Sequence, residues 1–252
     1  MKVLAVDTAT EACSAALWVD GNLFERYEVI GRGHAERLLP MVQEVLAEAG
    51  VALSALDGIA FGRGPGSFTG LRIGAGVTQG LAFGAGLRVA PVSNLAALAS
   101  RAATVRGERF VLACLDARMA QVYWAAFDCA DPSMPVALTP EAVSDPGAVW
   151  LPGGGELRAV SDERPESEGT SPLSASATDK GSVSFFGAGH GLSAYPALHT
   201  LLGTRLKGYD ADLLPHAREV ALIGAREFAR GGGVDPELAV PVYLRDQVAH
   251  RK

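Results

Sequence analysis

Five glycines, Gly70, Gly74, Gly76, Gly80 and Gly84, fall in one predicted helix from about Thr69 to Gly84, directly behind the glycine-rich turn Gly62 to Gly66. Each glycine in a helix interior costs roughly 0.8 to 1.0 kcal/mol relative to alanine, so this element gives up several kcal/mol of intrinsic stability. Something must offset that cost by approaching the glycines closely. Gly76, Gly80 and Gly84 recur every four residues and form a smooth strip on which another helix can lie. Two readings stand side by side: the strip packs against the chain's own layers, or it belongs to an intermolecular helix bundle. The helix from His34 to Ala49 is a candidate neighbour.

Around that helix the pattern is mixed α/β. Val3 to Val6, Ser14 to Val19 and Leu23 to Val29 read as strands, the last two joined at Asp20, Gly21 and Asn22. Leu38, Leu39, Val42, Val45, Leu46 and Ala49 recur at helical spacing up to a C-cap at Gly50. A strand at Ile59 to Phe61, the glycine-rich helix, a strand at Arg88 to Val92 and a helix at Asn94 to Val105 complete the first half. The second half restarts with a hairpin, Phe110 to Asp116 and Gln121 to Phe127, as an echo of the first. A strand at Val183 to Phe186 and one long helix from Ala211 to Arg230 follow, and the proline-containing tail is expected to pack across a surface. Residues 152–182 shift to Gly, Ser, Pro, Glu and Asp and read as a flexible insertion. Two lobes are expected, 1–106 carrying the two helices of interest and 107–252 containing the insertion.

With 252 residues and 48% hydrophobic content the chain can bury a substantial core without staples. The net charge of -6 and the scattered Lys and Arg give no basic stripe, so any nucleic acid is expected to be bound through a partner. Cys13, Cys114 and Cys129 form neither a disulfide framework nor a thiolate metal site, which suits a reducing cytosol. The apolar start is too short for a signal peptide, and the window Leu71 to Val89 is interrupted by Arg72, Gln79 and Arg88, against a membrane span.

The segment GRGPGSFTGLRIG joins a strand to a helix, so its backbone N–H groups could face a phosphate, with Gly64, Gly66 and Ser67 as contacts. It matches neither GxxxxGK[ST] nor GxGxxG, and a purely structural turn is the competing reading. Ser67 and Thr69 are candidate caps. Asp7, followed by Thr8, Thr10 and Ser14, could stand near a magnesium nucleotide or serve as a turn residue. Asp116 and Arg118 make either a surface ion pair or part of an interdomain cleft. Gly187, Gly189 and Gly191 suit a backbone wall beside a ligand, or a plain loop. The five histidines show no HxxxH or HExxH spacing, and Ser67 does not sit in a GxSxG elbow.

Taken together, VDTAT, GPGSFTGLRIG, LDARMAQVYWAAF and PVYLRDQVA resemble the TsaB (YeaZ) family of bacterial tRNA threonylcarbamoyladenosine proteins, over nearly the whole chain except the insertion. The resemblance implies a two-lobed actin-like ATPase fold with mixed sheets, of the actin, Hsp70 and sugar-kinase type. It implies a non-catalytic cytoplasmic subunit that binds a TsaD-like catalytic paralogue and works with a TsaE-like ATPase. The transfer carries threonylcarbamoyl from threonylcarbamoyl-AMP to the adenosine 3′ of the anticodon. The tRNA is met only through the complex, and the subunit alone is expected to form a homodimer. No tightly bound cofactor, metal or membrane is implied; ADP or ATP at the partner interface is the candidate ligand. The family's two interface helices correspond to His34 to Ala49 and Thr69 to Gly84, which singles out Leu38, Val42, Val45, Gly70, Arg72, Gly74, Gly76, Gly80 and Gly84. A self-sufficient ATPase or kinase of the same fold is the alternative, and a metalloprotease the third reading.

Overall fold

The computed structural model describes residues 1–153, 159 and 183–245. Strands β1 (Lys2–Asp7), β2 (Ala12–Val19) and β3 (Asn22–Val29) form an antiparallel meander; β4 (Gly58–Gly64) joins β1 in parallel and β5 (Val89–Ser93) joins β4. The sheet order is therefore β3-β2-β1-β4-β5. A second sheet repeats the plan. Strands β6 (Phe110–Arg118) and β7 (Gln121–Asp128) form its hairpin, and β8 (Val136–Ala137) lies antiparallel to β7. The short β9 (Ala142–Ser144) also pairs with β7, while β10 (Phe185–Ala188) runs parallel to β6 and β11 (Leu206–Asp210) parallel to β10. With the short β9 set aside, the third, second, first, fourth and fifth strands of each sheet lie side by side, so the echo read in the sequence is a structural duplication. This is the two-lobed, actin-like arrangement.

Helices cover both faces of the first sheet, and the side-chain alternation of its strands follows from that. Leu4, Val6, Cys13, Ala15, Leu17, Ile59 and Phe61 point to one face, which is covered by α1 (His34–Ala49) and α2 (Phe68–Ala85). Val3, Ala5, Ala16, Ala60 and Ala90 point to the other, against α6 (Ala217–Ala229). The small residues on that second face let α6 lie close: a Cβ at Gly224 would stand 2.5 Å from that of Ala60. On the second sheet, α3 (Asn94–Arg106) packs Leu95, Leu98 and Ala102 against Val111, Ala113 and Phe127. Its far face holds Leu112 and Trp124 under α4 (Gly191–Ala194) and α5 (Ala197–Leu202). A cut between residues 106 and 107 thus separates the sheets but not the helices, because α3 from the first half packs on the second sheet and α6 from the second half on the first.

The long helix expected from Ala211 is shorter than its apolar pattern. Residues 206–210 form β11, and α6 begins only after His216, whose Nδ1 accepts the Arg218 N–H at 2.9 Å. Pro215 biases Leu214 away from helical backbone, and Leu213 and Leu214 are buried as core rather than as a helix face. Most of the expected insertion lies outside the described residues; its flanks at Leu151 and Val183 are both gripped by Arg205, which donates to their carbonyls at 3.3 Å. Among the described residues no helix is long and apolar enough to cross a membrane.

Candidate functional site: the interlobe cleft and the exposed face of α2

The turn after β1, the loop before α1, the start of α2 and the β6–β7 hairpin surround a cavity of about 890 Å³ between the two sheets. Its first wall is fixed by glycines that admit no side chain. A Cβ at Gly66 would collide with the Ala9 carbonyl oxygen, and the Ser67 N–H donates to that same oxygen at 2.7 Å. Ser67 then caps α2, its hydroxyl accepting the Gly70 N–H at 3.4 Å, while Thr69 lies inside the helix and caps nothing. Gly66 and Ser67 line the cavity.

The other three predicted contacts stand behind that wall. Asp7 is only 1% exposed; its carboxylate accepts the Ala9 N–H at 3.1 Å and the Asn94 side-chain amide, with Gly62 packed directly on it. Burial pushes its carboxyl up to about 6, against the lowering by those two hydrogen bonds. Thr8 is buried and its hydroxyl donates to the Gly70 carbonyl at 2.7 Å, and the Gly64 N–H donates to Asn94 Oδ1 at 2.7 Å. Gly64 has φ +115°, a conformation for which glycine is suited, and a Cβ there would meet the Val242 carbonyl oxygen at 2.6 Å. Asp7, Thr8 and Gly64 therefore organise the floor of the wall and do not face the cavity.

The opposite wall carries Asp116, which accepts from Arg118 Nη1 at 3.1 Å and from the Tyr195 hydroxyl at 2.9 Å, and whose N–H donates to His190 Nδ1 at 3.0 Å. His190 faces Glu11 of the first wall at 3.9 Å, and burial lowers its pKa. Asp116 and Arg118 thus form an ion pair and both line the cleft, so the two alternatives read from the sequence describe one arrangement. Gly189 and Gly191 pack on Cys114 and Gly187 on Leu192, so those glycines serve internal packing. His34 is buried with Nε2 3.0 Å from the Thr10 carbonyl. Among the described residues no group of three or more His, Cys, Asp or Glu could hold a metal ion.

The interface residues divide sharply. Leu38, Val42 and Val45 are at most 2% exposed and belong to the core between α1 and the first sheet, which removes them from any docking surface. Gly70 and Gly74 are also internal: a Cβ at Gly70 would collide with the Thr8 carbonyl, and one at Gly74 would stand 2.6 Å from Thr8 Oγ1. Gly76, Gly80 and Gly84 have no atom within 4 Å of where a Cβ would be. They form an open stripe with Phe83, which is 80% exposed, and Phe68, which is 54% exposed. Arg72 continues the stripe, its guanidinium 3.8 Å from the Phe68 ring centre and its Nε donating to the Tyr243 hydroxyl at 3.2 Å. Exposed Leu238 and Val240 flank it, tied by a hydrogen bond from Gln79 to the Ala239 carbonyl at 3.2 Å. Phe68, Phe83, Leu238, Val240 and Tyr243 escaped the sequence reading; Phe68 and Phe83 were recoverable, since they lie at helical spacing from Arg72 and Gly80.

Three comparisons complete the description. A family model described as "TsaD: tRNA N6-adenosine threonylcarbamoyltransferase" matches residues 28–252. The chain is similar to the "tRNA threonylcarbamoyladenosine biosynthesis protein TsaB" of Escherichia coli (strain K12), 40% identical over 252 residues, spanning 100% of this chain and 98% of that protein. The protein of the same description from Haemophilus influenzae is 51% identical over 125 residues, half of this chain and 53% of the relative. Among solved structures, YeaZ from Pseudomonas aeruginosa superimposes with a TM-score of 0.78 at 42% identity, covering 96% of this chain and 99% of that one.

Proposed function

This chain belongs to the TsaB (YeaZ) family, and on that premise we propose that it is a non-catalytic docking subunit in cytoplasmic tRNA threonylcarbamoyladenosine formation. Its partners in this reading are a TsaD-like catalytic paralogue and a TsaE-like ATPase, and tRNA is engaged through the assembly. The observation that carries the reading is the open stripe Gly76, Gly80 and Gly84 beside exposed Phe83. Three residues that cost helix stability face no part of their own chain. A partner helix at close range supplies the missing contacts, and in the isolated subunit a second copy does so through a self-complementary two-fold contact.

The alternative of an independent ATPase or kinase loses support at Asp7. A carboxylate that is 1% exposed and held by Asn94 and the Ala9 N–H is a structural brace, not a group poised over a magnesium nucleotide. ADP or ATP is proposed as the small ligand at the partner-facing mouth of the cleft, with Gly66 and Ser67 as the contacts from this chain.

The test is threonylcarbamoylation of tRNA in vitro by the catalytic paralogue, its ATPase and the synthase that makes threonylcarbamoyl-AMP, with and without this chain, read by nucleoside mass spectrometry. Modification should depend on the chain and fail with Gly80→Leu while that variant stays folded. Modification that is indifferent to the chain would refute the reading.

A further inference from the structure

The tail after the short turn Pro236–Leu238 crosses from one lobe to the other at the mouth of the cleft. On the first lobe, the Val242 N–H donates to the Arg63 carbonyl at 2.7 Å, and the missing side chain of Gly64 leaves room for the Val242 carbonyl. The Tyr243 ring then lies 5.3 Å from that of Phe68 and its hydroxyl accepts from Arg72. Two residues on, Arg245 has reached the second lobe. Its guanidinium donates to the Ala117 carbonyl at 3.1 Å and to Gln121 Oε1 at 2.7 Å, gripping the tip of the β6–β7 hairpin from both strands. Arg63, whose carbonyl anchors the tail, also makes a two-pronged ion pair at 3.2 Å with Glu141, next to β9 of the second lobe. Tyr243 and Arg245 both line the cavity.

The hairpin tip that Arg245 grips is itself unusual: Arg118, Met119 and Ala120 are consecutive non-glycine residues with φ of 61°, 54° and 58°. Such backbone persists where surrounding contacts over-determine it, and the Arg245 hydrogen bonds supply contacts of that kind. We propose that residues 241–245 are a strap that sets the opening of the interlobe cleft, anchored on the first lobe at Arg63 and Phe68 and latched to the second by Arg245. Because Phe68 and Arg72 also belong to the exposed stripe of α2, the strap lies where a molecule seated on that stripe would bear on it; this last link rests on the docking reading, whereas the strap itself does not.

The test uses the full chain without the catalytic paralogue or the ATPase, and labelled chain is diluted with an excess of unlabelled chain so that distances between copies do not contribute. The native cysteines are buried, which lets spin labels be placed at Arg32→Cys and Ser193→Cys, exposed positions on opposite sides of the cleft. Pulsed dipolar spectroscopy should give a single narrow distance distribution for the otherwise unaltered chain. Arg245→Ala should lengthen and broaden it, and Gln121→Ala, which removes an acceptor from the other side of the latch, should do the same. Circular dichroism identifies any variant that has failed to fold, and the remaining one then decides. A distribution unchanged in a folded latch variant would overturn the proposal.

Discussion

The two glycine rows of α2 make opposite predictions for the same substitution. Successive helical residues are about 100° apart, so the centre of the row Gly76, Gly80 and Gly84 is turned about 100° around the helix from that of Gly70 and Gly74, enough for the first pair to face Thr8 and the other three to face open space. At Gly76 and Gly80 a Cβ meets nothing within 4 Å, so Gly76→Ala with Gly80→Ala gains only helix propensity. The gain is roughly 1.6 to 2 kcal/mol for the isolated subunit, or about 3 to 8 °C in Tm for a chain of this size. Gly70→Ala drives a methyl into the Thr8 carbonyl and threatens the hydrogen bond from Thr8 to the Gly70 carbonyl, a loss of about 1 to 3 kcal/mol. Urea unfolding at the lowest concentration that gives a signal measures both, and sedimentation velocity confirms the monomer at that concentration. The outward pair should also weaken self-association at higher concentration, since the added methyls hold a facing helix away. Destabilisation of the dilute monomer by the outward pair, or tolerance of Gly70→Ala, would refute the division of α2 into a core row and a docking row.

Glu219 predicts a pH effect. It is 1% exposed, Arg101 Nη1 is 3.7 Å away, and burial pushes its carboxyl up to about 7. The folded state therefore binds the proton more tightly than the unfolded chain, and the stabilisation present below about pH 4.5 is lost as pH rises to 7, by up to about 3 kcal/mol. Glu219→Gln should be increasingly more stable than the parent between pH 5 and 8, read as a widening gap in urea midpoints. His216, lowered to about 3 by burial, acts in the opposite sense but is common to both proteins and cancels in the difference. At the cleft wall, Asn94→Ala strands both the Asp7 carboxylate and the Gly64 N–H and should cost about 2 to 4 kcal/mol in urea unfolding. Asp7→Asn, by contrast, should keep the fold and leave tRNA modification intact in the reconstituted assay.

Much of this architecture is written in local signals. The helix α1 ends where periodicity and the glycine at position 50 say it should, with Gly50 at φ 64°, and the β6–β7 hairpin follows its own alternation. The α2 glycines announce close packing, but a count of glycines does not say against what; only their angular positions separate Gly70 and Gly74 from Gly76, Gly80 and Gly84. Leu38, Val42 and Val45 were misread for a related reason. The most apolar face of an amphipathic helix is the one its own sheet takes, so a docking surface is found among the residues left over, here Phe68 and Phe83. Asp7 illustrates the same limit: a carboxylate at a strand end is equally suited to a ligand or to a brace, and what decides is Asn94, 87 residues away in sequence.

The crossing of α3 and α6 explains why no boundary in the sequence corresponds to a lobe. Each helix is joined by a short connection to one sheet and packs on the other or returns to it, so the two cores are tied through the contact between these helices. Ala97 of α3 reaches into the core of α6, and at the same contact Arg101 faces Glu219 while the Arg101 Nε, the Ser100 hydroxyl and Glu219 Oε2 have no hydrogen-bond partner among the described residues. Apolar residues of matching shape would hold this junction more firmly than a poorly paired buried charge. The junction is therefore a weak point between the two cores, which are tied separately by the Arg63–Glu141 pair and the Arg245 latch. On the strap proposal the lobes turn about this junction, and because the strap is a few hydrogen bonds, a small change of sequence there would set how far.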